Sequence, residues 1–256
     1  GMNSEYHGNA SPLLNPQTGQ IQEQAGTFGG GTAGVDLTQL FLNTSLAYEV
    51  SDVISIGASL IVAVQSFEAT GIQAFANISQ DATKLSNNGH DTSYGYGFKV
   101  GADFALSDAF TFGFSYQSKM DMGEFDDYSG LFAESGGFDI PATYSVGLAW
   151  DTSESSTLLI DYQEIAYGDV KSISNGLSPL LTGQCLDALN NTLLNGVQSA
   201  AGPGCLGGAN GIGFGWEDMT VIKLGYEWGS NDSTYRIGFS TTDQPIGSDD
   251  VNFNIL

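Results

Sequence analysis

The sequence predicts an all-β protein, an antiparallel up-and-down β-barrel of the outer-membrane type. First, apolar residues alternate with small or polar ones over unusually long stretches, as in strands with one face in an apolar medium. Second, short turns alternate with long loops along the chain. Third, no run of about 18 apolar residues occurs, so no membrane-spanning helix is expected. We expect one barrel domain over residues 1–256.

The alternation is clearest at 93–120, SYGYGFKVGADFALSDAFTFGFSYQSKM, which predicts a hairpin with a turn at Ser107-Asp108. Its even positions are mostly large and apolar: Tyr94, Tyr96, Phe98, Val100, Phe104, Phe110, Phe112, Phe114 and Tyr116. Each arm keeps the pattern for about ten residues, whereas strands average about five or six. Tilted arms of about nine to eleven residues cross a bilayer. The hairpin is therefore predicted to span a membrane, the alternative being a hairpin of a soluble β-sandwich.

The rest of the chain repeats this design. Its segments are a loop at 1–36, hairpins at 37–66, 93–120, 142–163 and 219–241, and a long extracellular loop at 166–217. Turns within hairpins are short, whereas connections between hairpins are long and often acidic, the asymmetry of outer-membrane barrels. Val251 is predicted to begin a further strand, which gives about eight or nine strands in all.

The two predicted faces differ in character. Aromatic residues near strand ends indicate interfacial girdles: Tyr48, Tyr94, Trp150, Tyr162 and Trp228. The opposite face collects the charged residues of the strands: Glu49, Lys99, Asp103, Lys119, Asp151, Asp161, Lys223, Glu227 and Arg236. Charges confined to one face of a barrel indicate an interior that is wet or ion-paired. The apolar face is expected to contact outer-membrane lipid or detergent.

Composition excludes several classes of function. Only 6 Lys and Arg residues oppose 29 acidic ones, giving a formal charge of −23, so nucleic acid is not an expected partner. The two histidines, His7 and His90, are predicted to be solvated in loops. No nucleophile pairs with a base, no Cys/His cluster suggests a metal, and no glycine-rich loop has the context of a phosphate cradle. We expect no catalytic residues, no metal and no cofactor, and therefore no enzyme.

The longest loop contains both cysteines, Cys185 and Cys205. One pair in one loop suggests a disulfide and an oxidising compartment, the alternative being two free thiols. Such a bond would stabilise the loop by about 3 kcal/mol in the chain-entropy view. Leucines at helical spacing from Leu186 onward predict a short amphipathic helix within CLDALNNTLLNGVQ.

Several segments together resemble the FadL family of outer-membrane proteins. They include GTAGVDLTQLFLNTSLAYEVSDVISIGASL, SNNGHDTSYGYGFKVG, FGFSYQSKMDM, GLFAESGGFDIPATYSVGLAW and GFGWEDMTVIKLGYEW. The resemblance implies a fourteen-stranded barrel closed by an N-terminal hatch, of which this chain is a fragment without the hatch and the first and final strands. It also implies passive uptake of long-chain fatty acids or other hydrophobic compounds. Substrate would be captured by extracellular loops, pass to a lumen pocket and leave sideways into the membrane.

Apolar residues of two long loops are the candidate substrate-binding residues. They are Leu131, Phe132, Phe138, Leu177, Leu180, Leu181, Leu186, Leu189 and Leu193. The alternative is that they only pack the loops together, since apolar residues in long loops usually do. A general porin-like channel for small polar solutes and a surface adhesin barrel are the alternative functions. Because so few strands cannot close a fourteen-stranded barrel, we also expect a smaller closure or pairing with another copy in a homo-oligomer.

Overall fold

The computed structural model describes residues 1–7, 11–14, 21–24, 26, 28, 31–181, 185–187, 190, 201–230 and 232–254. Its strands are β1 (Met2–Tyr6), β2 (Ser11–Leu14), β3 (Ile21–Gln24), β4 (Ala33–Ser51), β5 (Ile54–Thr70), β6 (Asp91–Ser107), β7 (Phe110–Gln117), β8 (Asp121–Met122), β9 (Thr143–Ser153), β10 (Ser156–Ile165), β11 (Met219–Ser230) and β12 (Ser233–Thr242). Short helical segments are α1 (Ala133–Gly136), α2 (Lys171–Ser174) and 3-10 turns at Gln73–Ile78, Ala82–Lys84, Asp126–Tyr128, Tyr167–Asp169, Ser178–Leu181 and Val251–Asn254. Among these residues no helix is long and apolar enough to cross a membrane.

One antiparallel sheet contains most of the strands. Its order is β1-β4-β5-β6-β7-β9-β10-β11-β12, with β8 paired to β6, while β2 and β3 form a separate two-stranded sheet. Each long strand pairs with the long strands before and after it in sequence, which is the up-and-down arrangement predicted. The sheet as described ends at β1 and β12 and does not close on itself. The expected smaller closure is therefore not found, and pairing with another copy stays a prediction.

The register shows why the strands alternate as they do. One row across seven strands consists of apolar residues alone: Ile54, Phe104, Phe112, Leu148, Ile160, Leu224 and Phe239. The row one residue along consists of polar residues and glycine: Ser55, Asp103, Gly113, Gly147, Asp161, Lys223 and Ser240. Since successive side chains point to opposite faces, the sheet has one apolar and one polar surface.

The apolar surface is the outer one. Leu46 is 80% exposed, Tyr96 77% and Leu60 71%, and similar side chains cover the same face of every long strand. Monomeric soluble proteins rarely expose apolar patches larger than a few hundred Å². This band is therefore the lipid-facing surface of a membrane barrel wall, as the alternation predicted.

The polar surface is concave. A cavity of about 950 Å³ is lined by residues of seven consecutive long strands, β4 to β7 and β9 to β11. Its lining includes Asn43, Lys99, Gln117, Gln163 and Lys223. The sheet thus curves around a polar interior, so the charged face of the strands is the lumen face.

Two predictions about the ends of the chain are wrong. Residues 1–36 contain three strands and the start of β4 rather than loop alone. Met2–Tyr6 pairs with the first residues of β4, where backbone hydrogen bonds form without any requirement on side-chain pattern. Val251–Asn254 is a 3-10 turn, not a strand. The Asn254 side chain accepts from the Trp216 indole at 2.6 Å and donates to the Phe214 carbonyl at 2.8 Å, which fixes the turn against the long loop.

The orientation of β4 leads to a direct test. Leu42 (68% exposed) lies near the middle of β4 on the lipid side, and the adjacent Asn43 lines the lumen cavity. We expect Leu42→Lys to lower the free energy of unfolding by about 2–4 kcal/mol, because a charge at the bilayer midplane loses its hydration. Asn43→Lys should cost less than about 1 kcal/mol. Denaturant titration in lipid vesicles measures both, and equal effects would contradict the assigned faces.

Candidate functional site

The long connections of the sheet gather at one end of the barrel wall. Tight turns join β4 to β5, β6 to β7, β9 to β10 and β11 to β12 at the opposite end. The connections at 71–90, 118–142 and 166–218 must then leave the other end, because consecutive strands are antiparallel. In outer-membrane barrels the long loops face the outside of the cell. The candidate site is the extracellular mouth of the lumen.

The three loops share one hydrophobic core at this mouth. Phe67, at the end of β5, is its centre: its ring centroid lies 4.7 Å from that of Phe132, 4.9 Å from Tyr128 and 5.6 Å from Phe125. The buried members of this loop core are Ala33, Phe67, Ala69, Ile72, Ile78, Leu85, Phe125, Tyr128, Phe132, Leu206 and Ile212. Aromatic pairs at these separations stabilise a core beyond the area that they bury.

Backbone hydrogen bonds tie the loops to each other around this core. The amide of Leu206 donates to the carbonyl of Ile78 at 3.0 Å, and the Glu134 amide donates to the Gly208 carbonyl at 2.8 Å. Segment 205–208 therefore joins the first loop to the second. Gly207 within it has φ of 79°, a left-handed conformation that favours glycine, and its Cα faces the backbone of Gly130.

A disulfide fixes the same segment to the rest of the third loop. Cys185 and Cys205 are bonded, with their Cα atoms 5.4 Å apart, and both side chains are buried. Cys205 immediately precedes Leu206, a member of the loop core. The bond therefore restrains the part of the third loop that begins at Cys185 to the core made by all three loops.

Polar groups beneath the loops are also satisfied. The Tyr128 hydroxyl donates to the Gly89 carbonyl at 2.6 Å, and burial raises the pKa of this phenol, which keeps it protonated as a donor. The Lys84 ammonium lies 2.6 Å from an Asp127 oxygen, and this hydrogen bond raises the pKa of Lys84. These contacts join the first loop to the second at the level of the aromatic core.

The candidate substrate-binding residues fall into three groups in the structure. Phe132 is buried in the loop core, and Leu131, Phe138 and Leu177 pack against it while remaining half-exposed. Leu186 is half-buried next to Cys185, and Leu180 and Leu181 lie in a 3-10 turn. Leu189 and Leu193 are outside the described residues, as is most of the predicted amphipathic helix, of which residues 185–187 and 190 are helical.

Several residues of the mouth were not found from the sequence. Phe67, Phe125, Tyr128 and Leu206 occupy the core, yet they come from three segments far apart in the chain. Of these, Phe67 could have been noticed in the sequence. It lies on the same face of β5 as mostly small and polar residues, yet it has a large aromatic ring. His90 was predicted to be solvated in a loop, and its side chain is indeed half-exposed, but its contacts were not foreseen. Its Nε2 lies 3.3 Å from an Asp36 oxygen and its Nδ1 3.2 Å from a Glu68 oxygen, so it bridges the ends of β4 and β5.

A second apolar cluster lies deeper, on the inner wall. It consists of Ile61, Ala63, Met120, Met122 and Ile140. The chain after β7 turns inward here, since Met120 exchanges backbone hydrogen bonds with Ile140 and Met122 pairs with Gly95 of β6. The ammonium of Lys119, 2.9 Å from Asp139, holds this inner cluster in place. From the mouth inward, the loop core, the inner cluster and the polar cavity thus follow one another along β5.

In the described part of the chain, the His, Cys, Asp and Glu side chains form no group of three or more that could hold a metal ion. What the site offers is a buried apolar core at the mouth of a membrane barrel, with a half-exposed border formed by Leu131, Phe138 and Leu177. Fold and site together define a wall of an outer-membrane β-barrel whose extracellular loops bury an apolar core.

Comparison with known families agrees with this class. Residues 17–247 match the family model "Outer membrane protein transport protein (OMPP1/FadL/TodX)", so the chain belongs to this family of outer-membrane proteins. The family is described as one of outer-membrane transport proteins. A comparison with curated protein sequences finds no match.

Solved structures share the fold. The Ralstonia pickettii toluene transporter TbuX is 17% identical, with a TM-score of 0.53 over 94% of this chain and 64% of its own. The Pseudomonas putida toluene transporter TodX is 14% identical, with a TM-score of 0.54 over 95% of this chain and 64% of its own. A Pseudomonas aeruginosa FadL homologue is 14% identical, with a TM-score of 0.54 over 95% of this chain and 70% of its own. The chain spans less than two thirds of the length of the two toluene transporters.

The loop core can be tested by truncating Phe132, whose buried ring packs against the central Phe67. We expect Phe132→Ala to lower the free energy of unfolding by about 3–5 kcal/mol, because the change removes a buried ring and leaves a cavity. Phe138→Ala, at the half-exposed border, should cost clearly less. Chemical denaturation in detergent, followed by near-ultraviolet circular dichroism, compares the two variants. Equal losses would mean that Phe132 is not the more buried of the two rings in solution.

Proposed function

We propose that the protein takes up long-chain fatty acids or other hydrophobic compounds through the outer membrane by passive transport. The observation that carries the proposal is the half-exposed apolar border of the loop core at the extracellular mouth, formed by Leu131, Phe138 and Leu177. A hydrophobic compound gains free energy by leaving water for such a surface, roughly 25 cal/mol for each Å² of apolar area buried. Capture at the mouth concentrates the compound where the lumen begins.

The family supports the same class of activity. Its members are outer-membrane transport proteins, and two of the solved structures with this fold are toluene transporters. An aromatic hydrocarbon and a fatty acid chain require the same property of a capture surface, which is exposed apolar area. Leu180, Leu181 and Leu186 belong to the proposed capture surface as well, because they lie in the third loop, at the same end of the barrel. Leu189 and Leu193, outside the described residues, are proposed as members from the sequence alone.

The capture surface is tested by placing a charge at its border. We expect Leu177→Asp to weaken binding of a long-chain fatty acid about tenfold, because the variant loses apolar contact and gains a carboxylate beside the ligand. Trp216, whose ring lies 6.3 Å from that of Phe214 beside the core, should report binding by its fluorescence in detergent. Val53→Asp, in the turn at the opposite end, makes the same kind of change away from the mouth.

The controls decide between outcomes. Wild-type protein should respond saturably to the fatty acid and not to a disaccharide, and Val53→Asp should behave like wild type. An unchanged dissociation constant in Leu177→Asp would remove Leu177 from the capture surface. No saturable response of the wild type to any hydrophobic compound would count against the proposed function as a whole.

A second candidate function rests on the polar cavity. Lys99 and Lys223 face a lumen of about 950 Å³ among serine, glutamine and asparagine side chains, a lining suited to small polar solutes. A porin-like channel would conduct ions in planar bilayers, and Lys99→Glu together with Lys223→Glu would shift its selectivity towards cations. For the hydrophobic channel we expect saturable lipid binding without such open conductance.

A further inference from the structure

Gln65, on the lumen face of β5, has a buried side chain without a hydrogen-bond partner. Its side chain is fully buried. In the part of the chain that the structure describes, its Oε1 and Nε2 are the only buried side-chain oxygen and nitrogen atoms without a hydrogen bond. Moving an amide from water into a medium that forms no hydrogen bonds costs up to several kcal/mol. Buried amides without a partner are therefore rare in folded proteins. Such a group calls for a partner that the folded chain itself does not supply.

The position of Gln65 lies on the proposed path of the ligand. Two residues further along β5, Phe67 is the centre of the loop core, and two residues back, Ala63 belongs to the inner cluster. All three point to the lumen side, since alternate residues of a strand share a face. The amide therefore stands between two apolar clusters. A hydrophobic molecule that moved from one cluster to the other would pass it.

Neighbouring polar groups leave the amide unpaired. Ser93 is opposite Gln65 on β6, but its hydroxyl donates to the Gly123 carbonyl at 2.6 Å. Gln39 is opposite on β4, and no hydrogen bond joins the two glutamines. The Nε2 amide group, a donor, and the Oε1 oxygen, an acceptor, therefore both remain available side by side.

The surroundings can make room for a ligand. Met120 and Met122 cover the inner face of β6 in the space that side chains on Gly97 and Gly95 would take. Methionine is unbranched and has three rotatable side-chain bonds, so it can repack around a guest with little cost. The two methionines form one wall of the inner cluster next to Gln65.

We propose that Gln65 is a specificity-determining residue that binds the neutral polar end of a hydrophobic ligand. This inference rests on the proposed function and names the ligand chemistry. A head group that offers an acceptor and a donor side by side, such as an un-ionised carboxyl or a primary amide, matches both halves of the Gln65 amide. A plain hydrocarbon matches neither half and would leave the amide unpaired. Gln65 therefore favours head-bearing ligands over hydrocarbons of the same length.

The test compares two uncharged probes of similar length, decanamide and undecane, by the ratio of their dissociation constants in detergent. We expect the preference for decanamide to fall about tenfold in Gln65→Leu relative to wild type, since the hydrogen bonds to the head group are lost. Gln117→Leu makes the same substitution on the lumen wall at the polar cavity, and it should leave the ratio unchanged.

The midpoint of thermal unfolding is a second measurement. It should not fall in Gln65→Leu if Gln65 binds ligand, and it should fall if Gln65 only stabilises the fold. Because the Gln65 amide has no partner in the ligand-free protein, Gln65→Leu should keep or raise the midpoint of thermal unfolding. A lower midpoint with an unchanged probe ratio would assign Gln65 to the fold and overturn the proposal. Gln65→Met, whose side chain is closer in shape, carries the same test if Gln65→Leu does not fold.

The outcomes also separate this inference from the proposed function. If wild type and Gln65→Leu bind both probes with the same ratio, the role of Gln65 is wrong and the hydrophobic channel stands. If wild type binds neither probe, the proposed function fails and this inference fails with it. A ratio that falls in Gln65→Leu and not in Gln117→Leu supports both.

Discussion

The structure depends on one constraint: a polypeptide backbone in lipid must satisfy its hydrogen bonds by pairing strand with strand. Pairing fixes the register, and the register fixes which side chains meet the lipid. A slip of one residue would exchange the apolar row through Phe104 and Leu148 for the row through Asp103 and Asp161. Charges in the hydrocarbon region are costly. The membrane itself therefore selects one register across seven strands, and with it the position of every loop.

Outside the membrane the chain obeys different rules. The loops bury aromatic residues, satisfy their polar groups and carry a disulfide, as a small soluble domain does. The sheet still supplies the floor of this domain, because Ala33, Phe67 and Ala69 belong to β4 and β5. Along β5 the inward positions change from serine and glycine near the tight turn to Phe67 near the mouth. One strand thus lines a wet lumen at one end and a dry core at the other.

The sequence predicted the strands well and the loops poorly, for a physical reason. Strand faces repeat every two residues, so the hairpin at 93–120 shows its orientation locally. The loop core forms between segments far apart, as in the hydrogen bond from Gln80 to the carbonyl of Gly202, and no local pattern records such contacts. The pairing of Met2–Tyr6 with β4 uses the backbone alone and leaves no side-chain signal. Gln65 looked like any other polar inward residue, since its lack of a partner becomes visible only in three dimensions.

The order of inward residues along β5 bears on where a hydrophobic ligand would go. From the mouth inward the positions are Phe67, Gln65, Ala63 and Ile61, and then Ser59 at the polar cavity. The apolar residues end at Ile61. A hydrophobic ligand that moved further inward would expose its apolar surface to water again, at a cost of roughly 25 cal/mol per Å². A hydrophobic compound beside Gln65 would therefore meet an unfavourable free-energy step on descent into the polar lumen, whereas a small polar solute would not.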